Sequence, residues 1–258
     1  MARAFWRGVI SFSLVAIPVK MYRATESKAL SFHYLHKKCF TRPKQVSYCQ
    51  QDDEYFGTSD TVRGYEYAKD QYVILEESDL EKVAVKTTHA ISIMGFVKSQ
   101  EIDPIYYDAS HYLEPEQLGA KPFSLLREVL LKTQRVALAK VAFQRREHLC
   151  SLRPLDDILV LHSLHFADEI LSRDELAVPK QELTSPELEM ATSLVNAMAI
   201  SFKPEDYKDE YALALERLVA AKVKGEEIKV PKAPKVEIGD LMAALRASIK
   251  ATKKTPAA

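Results

Sequence analysis

Several features that accompany enzymes or exported proteins are missing from this chain. Glycine is scarce, with 7 residues in 258, which argues against glycine-rich loops that cradle phosphates. No apolar run reaches the length of about 18 residues that spans a membrane, and the N-terminal residues lack the cleavage pattern of a signal peptide. Three cysteines are an odd number and too few for a disulfide framework, so a reducing, cytoplasmic location is expected.

Catalytic motifs are missing as well. The chain has no P-loop, no metalloprotease helix motif and no nucleophile elbow. His162 and His165 stand in a strand-like context that places them on opposite faces, and Glu147 lies in a charged run typical of a solvated rim. A hydrolase or metal enzyme on a small barrel, using His162, His165 or Glu147, stays open as an alternative. We predict no catalytic residue and no cofactor.

Two cysteines raise the question of a metal site. Cys39 and Cys49 lie in an aromatic and basic stretch, with His33 and His36 nearby. A structural zinc site needs four ligands, usually including a Cys-x-x-Cys pair. The residues after Cys49 are Gln-Gln-Asp, so this pair is incomplete and no metal site is predicted. Cys150 alternates with apolar residues in a predicted strand and is expected in the core.

The strongest signal is the separation of charge along a chain whose net charge is zero. Residues 1–50 hold nine basic residues and one acidic residue, a net charge of +8. Residues 51–130 and residues 154–220 each carry a net charge of −9, whereas residues 131–153 and 221–258 each carry +5. A neutral total can therefore conceal a strongly cationic surface, and such a surface indicates a polyanionic partner.

The basic region has the composition of a nucleic-acid-binding segment. Over residues 20–46, cations are interleaved with aromatic residues and histidines, and acidic residues are almost absent. Such cations can follow a phosphate backbone and release counterions, and about six to eight engaged phosphates would give log K a slope of about −5 to −7 against log salt. No helix-turn-helix, zinc finger or RNA-recognition signature is found. The pattern therefore predicts binding to the backbone without reading bases.

Short strands are predicted over most of the first 166 residues. Ile17, Val19 and Met21 recur with a period of two, so this face should pack inward while Lys20 points outward. Residues 30–64 are poor in aliphatic side chains and indicate an excursion that leaves the core and returns. Further strands are predicted at residues 72–75, 90–97, 105–107, 136–143, 148–152 and 158–166.

One inserted helix interrupts these strands. Leu126, Val129 and Leu130 have helical spacing within residues 123–133, and Pro122 precedes them as a starting residue. Several short strands with one inserted helix predict a barrel or a sandwich.

From residue 185 the pattern becomes helical. Ser185 is the predicted N-cap of one helix, and a second helix is predicted to begin at Pro204 and end at Gly225. Residues 226–236 form a linker rich in proline and lysine. The residues beyond it have the spacing of an amphipathic helix that needs a surface to dock on. Its apolar positions are Ile238, Leu241, Met242, Leu245 and Ile249.

These segments together resemble the Ku family in its prokaryotic form. Among them are the opening stretch with Ile-Pro-Val-Lys-Met-Tyr, the stretch Glu-Ile-Asp-Pro-Ile-Tyr-Tyr, and Phe-Ala-Asp-Glu. The stretches that carry the resemblance are residues 2–26, 32–36, 64–67, 101–107, 146–149, 152–154, 166–169 and 240–245. Two departures from the family pattern stand out. Only Cys49 remains of the bridge Cys-x-x-Cys that many bacterial members have. The lysine-rich C-terminal extension of some members is reduced to Lys250, Lys253 and Lys254.

The resemblance implies a mainly β fold with α: a Ku-type β-barrel core with an extended bridge segment, followed by a C-terminal helical arm. The expected domains are residues 1–180 for the barrel core, with the bridge at about residues 28–64, and residues 181–225 for a helical dimerisation arm. Residues 226–258 would hold the linker, a short amphipathic helix and a basic tail.

The resemblance also implies a function. Two identical chains would form a ring around double-stranded DNA ends, protect them and recruit ligase D for non-homologous end joining, which repairs double-strand breaks. The location would be cytoplasmic and nucleoid-associated, with no membrane partner. A scaffold that docks the ligase and binds DNA only incidentally is a further alternative. The implied DNA-binding residues are Lys20, Arg23, Lys28, Lys37, Lys38, Arg42, Lys44, Arg145 and Arg146, and the implied ligase-binding residues are Ile238, Leu241, Met242 and Leu245.

Overall fold

The computed structural model describes residues 3–83, 89–143, 146–174, 176–179 and 181–225. The chain divides into two compact units, residues 1–172 and residues 173–258. In chain order the strands are β1 (Trp6–Phe12), β2 (Val15–Arg23), β3 (Ser47–Cys49), β4 (Glu54–Phe56), β5 (Arg63–Ala68), β6 (Gln71–Leu75), β7 (Ala90–Lys98), β8 (Tyr107–Pro115), β9 (Arg135–Phe143), β10 (Arg146–Leu155) and β11 (Ile158–Leu164). The helices are α1 (Glu77–Val83), α2 (Ala120–Thr133), α3 (Ser185–Ala197) and α4 (Glu210–Lys224).

A closed barrel of seven strands forms the centre of the first unit. Around the barrel the order is β1-β2-β8-β11-β10-β9-β7. β1 and β7 close it as a parallel pair, whereas the other neighbouring strands run antiparallel. Closure leaves no open sheet edge among these strands. The predicted mainly β barrel with helices is therefore confirmed, and a sandwich is not formed.

The period of two in β2 produces the inward and outward faces that it predicts. Ile17, Val19 and Met21 are 2%, 0% and 0% exposed and belong to the barrel core. Lys20 lies between the last two and is directed to the outer wall, because successive strand residues point to opposite faces. Cys150 is fully buried in the same core, as expected.

Helix α2 covers one end of the barrel. Phe123, Leu126 and Leu130 belong to the same buried core as the inward side chains of the strands. The predicted apolar stripe includes Val129, but this residue is 46% exposed. The stripe is centred between Phe123, Leu126 and Leu130, which share one face at i, i+3 and i+7, so Val129 falls at its edge.

We call the chain between Arg23 and Ala90 the bridge. It contains two separate two-stranded sheets, β3 with β4 and β5 with β6, and in the described residues neither pairs with a barrel strand. The predicted strand at residues 72–75 is part of β6, which pairs with β5 rather than with a barrel strand. All six residues of β5 are exposed.

The second unit contains α3 and α4. The N-cap of α3 is Thr184 rather than Ser185, because the Thr184 backbone amide and hydroxyl both donate to Glu187, at 2.8 Å and 2.7 Å. Residues 204–206 form an isolated 3-10 turn, and α4 begins only after Asp209, whose carboxylate accepts from the Ala212 amide at 3.0 Å.

Helix α4 ends as predicted at Gly225, which has a left-handed φ of 77°. Among the described helices, none has the length and apolar character needed to cross a membrane.

Candidate nucleic-acid interface

The bridge leaves the barrel and returns to it at one end. β2 ends at Arg23, whose register partner is His111, and β7 begins at Ala90 beside β1. At the same end β9 finishes at Phe143, which pairs with Arg146 at the start of β10. We call this end the bridge-side rim. Helix α2 lies at the opposite end, because β9 begins there directly after the helix.

Lys20 lies on the outer wall of the barrel beside a carboxylate. Its register partners are Arg7 on β1 and Glu114 on β8, and its Nζ atom is 3.8 Å from Glu114 Oε2. The Tyr22 hydroxyl also donates to Glu114, and this hydrogen bond is the main cause that raises the pKa of Tyr22. The outer wall therefore carries Arg7 and Lys20, and the carboxylate of Glu114 partly offsets the charge of Lys20.

Arg23 lies at the rim, on the inward-facing side of β2, and not on the same face as Lys20. It lines a cleft of about 750 Å³ together with Arg3, Phe5 and Thr25. We call this the rim cleft. Arg146 stands at the same end of the barrel, at the start of β10. The structure thus brings Arg23 and Arg146 to one rim, which sequence spacing alone does not show.

The predicted cations of the bridge are all exposed. Lys28 pairs with Glu26 at 3.2 Å. Lys37 and Lys38 lie in a tight turn. The His36 amide donates to the Thr41 carbonyl at 2.8 Å, and the Phe40 amide donates to the His36 carbonyl at 2.7 Å.

Arg42 and Lys44 follow this turn on the bridge. The Arg42 guanidinium lies against the His33 ring, with Nη2 3.1 Å from Nε2. Among the described residues, no carboxylate pairs with Lys37, Lys38, Arg42 or Lys44. These four side chains are therefore available to an external anion.

Aromatic side chains are interleaved with these cations on the bridge. Phe32, Tyr34 and Phe40 are 68%, 88% and 73% exposed. Cations without carboxylate partners can contact phosphates, and exposed rings can pack against sugars or bases. In the described part of the bridge the helical elements are α1, with seven residues, and a 3-10 turn at Thr58–Asp60, and the rest is extended chain, turns and hairpins. The arrangement suits contact with the backbone of a nucleic acid rather than reading of base edges.

Some residues with predicted roles lie outside the described parts of the chain. They are Arg145, Ile238, Leu241, Met242 and Leu245, together with the linker and tail at residues 226–258.

Comparison with known proteins decides the family. Residues 11–190 match the family model described as the Ku70/Ku80 beta-barrel domain. The chain belongs to the Ku family. A protein from Solibacter usitatus (strain Ellin6076) named Non-homologous end joining protein Ku is 40% identical over 261 residues, which cover 100% of this chain and 98% of that protein.

Two further Ku relatives carry the same name. The protein from Archaeoglobus fulgidus is 39% identical over 255 residues, covering 97% of this chain and 100% of that protein. The protein from Symbiobacterium thermophilum is 41% identical over 261 residues, but this chain spans only 65% of its length. The resemblance predicted from the motifs is confirmed.

His162, one candidate of the enzyme alternative, is engaged at both ring nitrogens. Nε2 accepts a hydrogen bond from Arg153 Nε at 2.8 Å, so Nδ1 carries the proton and donates to Ser110 Oγ at 2.8 Å. Burial, and then the nearby charges of Arg153 and His111, lower the pKa of His162 to about 4. A general base needs a free lone pair, which this imidazole does not offer.

The other two candidate catalytic residues, Glu147 and His165, line one small cavity of this Ku barrel. Glu147 and His165 both line a cavity of about 210 Å³ at the bridge-side rim, while His162 is held apart in its own network. Glu147 pairs with Lys140 at 2.8 Å, and His165 lies 3.6 Å from Glu169. In the part of the chain that the structure describes, no three His, Cys, Asp or Glu side chains are grouped to hold a metal ion.

The three cysteines have different surroundings. Cys39 Sγ lies 2.9 Å from Thr41 Oγ1 and 3.0 Å from His36 Nδ1, and the bond with Thr41 is the main cause that lowers its pKa. Cys49 donates to Asp52 at 3.1 Å. Burial raises the pKa of Cys150 to about 12. Cys39 and Cys49 are thus accessible thiols, whereas Cys150 is part of the core.

Sequence reasoning missed the aromatic cluster at the rim. The rings of Phe143 and His148 stack at a centroid distance of 4.0 Å, and Phe5 lies 5.3 Å from His111. Nδ1 of His111 and Nε2 of His148 are buried, and neither has a hydrogen-bond partner among the residues that the structure describes. The members come from three separate parts of the chain, so no local pattern could have indicated the cluster.

Proposed function

We propose that this chain binds the ends of double-stranded DNA in non-homologous end joining, without reading the sequence and without catalysing a reaction. The observation that carries the proposal is the bridge, which is rooted at one barrel end and exposes Lys37, Lys38, Arg42 and Lys44 without carboxylate partners among the described residues. Membership of the Ku family and the names of the relatives support the pathway. The proposed place of action is the nucleoid.

The proposed assembly is a homodimeric ring. A bridge that leaves and re-enters one rim can form one side of an opening, and a second copy would supply the other side. The exposed apolar side chains of the second unit support a protein partner, since Val195, Phe202, Tyr211 and Val223 are 68%, 77%, 74% and 83% exposed. Fully burying one large apolar side chain contributes about 1.5–3 kcal/mol, so a few of them offset much of the cost of association.

A ring explains specificity for ends without base contacts. A closed ring can be threaded only by a free end, while phosphate contacts hold the duplex in register and carry no sequence information. The acidic stretches at residues 51–130 and 154–220 would reduce binding of DNA to the outside of such a ring.

The proposed partner of residues 226–258 is the repair ligase, ligase D. The support is the amphipathic spacing of Ile238, Leu241, Met242 and Leu245 beyond a linker. Deletion of residues 226–258 should leave DNA binding intact and abolish stimulation of the ligase. Loss of DNA binding on this deletion would contradict the proposal that residues 226–258 bind the ligase and the rest of the chain binds DNA.

The decisive experiment compares two DNA topologies. Gel-shift titrations use a linear duplex and a covalently closed circle of the same sequence, at the same salt concentration. The protein should bind the linear duplex and leave the closed circle unbound. Equal affinity for both forms would overturn the proposal, because a ring cannot thread onto closed DNA.

A matched pair of variants tests the role of the bridge. Lys37→Gln/Lys38→Gln removes two bridge cations, and Lys121→Gln/Lys132→Gln removes two exposed cations from α2, at the other end of the barrel. The slope of log K against log salt should become shallower by about 0.9 for each phosphate that the bridge variant no longer engages. The α2 variant should keep the wild-type slope. A shallower slope in the α2 variant together with a wild-type slope in the bridge variant would place the interface at α2 instead.

A further inference from the structure

The rim cleft carries more positive charge than its surroundings neutralise. Arg3 and Arg23 line it, and neither forms an ion pair with a described carboxylate. Glu26 also lines the cleft, but its Oε2 atom lies 3.2 Å from Lys28 Nζ. Two guanidinium groups therefore remain for an external anion, and the guanidinium fork matches the geometry of phosphate oxygens.

The two arginines stand on neighbouring backbone segments that are fixed to the barrel. The Phe5 amide donates to the Met21 carbonyl at 3.1 Å, so the chain that carries Arg3 continues the pairing of β1 with β2. On the other side, the Ala24 amide donates to the Ser110 carbonyl at 3.1 Å, directly after Arg23. This backbone holds both arginines at one opening and reduces the conformational entropy cost of binding.

The cleft also has an aromatic side and adjoining polar groups. Phe5 lines it, is 39% exposed and packs against His111 and Phe143, with ring centroids 5.3 Å and 6.2 Å away. His111 is 8% exposed, and in the described parts of the chain its Nδ1 atom has no hydrogen-bond partner. Thr25 adds a hydroxyl to the lining. Cations beside an exposed ring are the combination that binds a nucleotide through its phosphate and its base or sugar.

We propose that the rim cleft binds one phosphate group of a DNA strand through both Arg3 and Arg23, with the attached nucleoside against Phe5. The volume of about 750 Å³ accommodates a nucleotide unit and not only a bare anion. This inference rests on the DNA binding proposed above and assigns it a specific site. The phosphate can be internal to the strand or lie at its terminus, and the two sources share the same chemistry.

The test measures DNA affinity and its salt dependence for four variants of the full chain: Arg3→Gln, Arg23→Gln, the double variant and Phe5→Leu. Because both arginines contact the same phosphate, the double variant should make the salt slope shallower by about 0.9 per cleft, not by about 1.8. Phe5→Leu should weaken binding about 5-fold or more without changing the slope, since an apolar contact releases no counterion. Lys132→Gln is the control for removal of one charge.

Linear duplexes with 5′-phosphate and 5′-hydroxyl ends identify the source of the phosphate. A preference for the phosphorylated end that disappears in the double variant assigns the cleft to a terminal phosphate. Equal weakening with both duplexes assigns it to an internal phosphate. Wild-type affinity and slope in the folded double variant, checked by circular dichroism, would overturn the inference. If the wild-type protein itself binds closed circles and linear DNA equally, the proposed function fails instead.

Discussion

Replacing His162 by glutamine should reduce the loss of folding stability that occurs when the pH is lowered. The imidazole lies between Arg153 and Ser110, with 2.8 Å hydrogen bonds at both nitrogens, and its side chain is only 9% exposed. Burial and the Arg153 charge hold the pKa at about 4, compared with 6.5 for a free histidine. The folded protein therefore resists protonation at a site where the unfolded chain accepts a proton.

The sign and the size of the effect follow from this difference in pKa. Between about pH 6.5 and pH 4 the unfolded state binds more protons than the folded state, so stability falls as the pH is lowered through this range. The full contribution is about 3 kcal/mol, and about 2 kcal/mol of it is lost by about pH 5. At neutral pH the imidazole is uncharged in both states and this contribution is absent.

The assay is urea denaturation of the wild-type protein and His162→Gln at about pH 7 and about pH 5. The drop in unfolding free energy between the two pH values should be about 2 kcal/mol smaller in the variant. Glutamine can still donate and accept a hydrogen bond at this position, so the difference between wild type and His162→Gln reports the protonation of His162. His165→Gln shows the effect of removing a histidine that is 40% exposed. An equal drop in wild type and His162→Gln would refute the reasoning.

Three further outcomes are expected. Glu114→Gln should strengthen DNA binding about 2- to 5-fold in anisotropy titrations, because it removes the carboxylate that lies 3.8 Å from Lys20. Leu152→Ala should lower the unfolding free energy by about 2–5 kcal/mol, since Leu152 is 0% exposed in the barrel core. In the folded protein an aromatic disulfide reagent should modify Cys39 rapidly, whereas Cys150, with a pKa of about 12, should react only after unfolding.

Each of these outcomes has a matched control. Glu189→Gln removes the same charge from an exposed position on α3 and should leave DNA affinity unchanged. Leu118→Ala removes the same atoms from a side chain that is 92% exposed and should cost little stability. Cys39→Ser should remove the fast thiol phase. Weaker DNA binding by Glu114→Gln, unchanged stability of Leu152→Ala or rapid labelling of Cys150 would each contradict the corresponding expectation.

Local patterns predicted only part of the local structure, since the strand predicted at residues 105–107 is a 3-10 turn at Pro104–Tyr106 followed by β8 over Tyr107–Pro115. The alternation of Ile17, Val19 and Met21 predicted both faces of β2, and Gly225 marked the end of α4. The errors are also local in origin. Ser185 and Thr184 are both suitable caps, and only the hydrogen bonds from Thr184 to Glu187 distinguish them. Pro204 can start a helix, but the chain forms a single 3-10 turn there and Asp209 caps α4 instead.

Long-range pairing was beyond the reach of such patterns. Lys20 has the same local sequence whether or not Glu114 lies beside it, and the pairing depends on the register between β2 and β8. The strand at residues 71–75 shows the same limit, since its composition suits a barrel or a separate hairpin and only its pairing with β5 distinguishes them. The roles predicted for the nine DNA-binding residues remain proposals.

By itself, the sequence determined the charge separation, the strand and helix periods and the membership of the Ku family, because these depend on the order of residues along the chain. The tertiary structure alone decided which charges stand without a partner. Strand pairing brings Arg3 and Arg23 to one cleft and Glu114 beside Lys20, and it buries His162 between Arg153 and Ser110. Electrostatic energy and pKa depend on distances in space and on burial, and neither can be read from spacing along the chain.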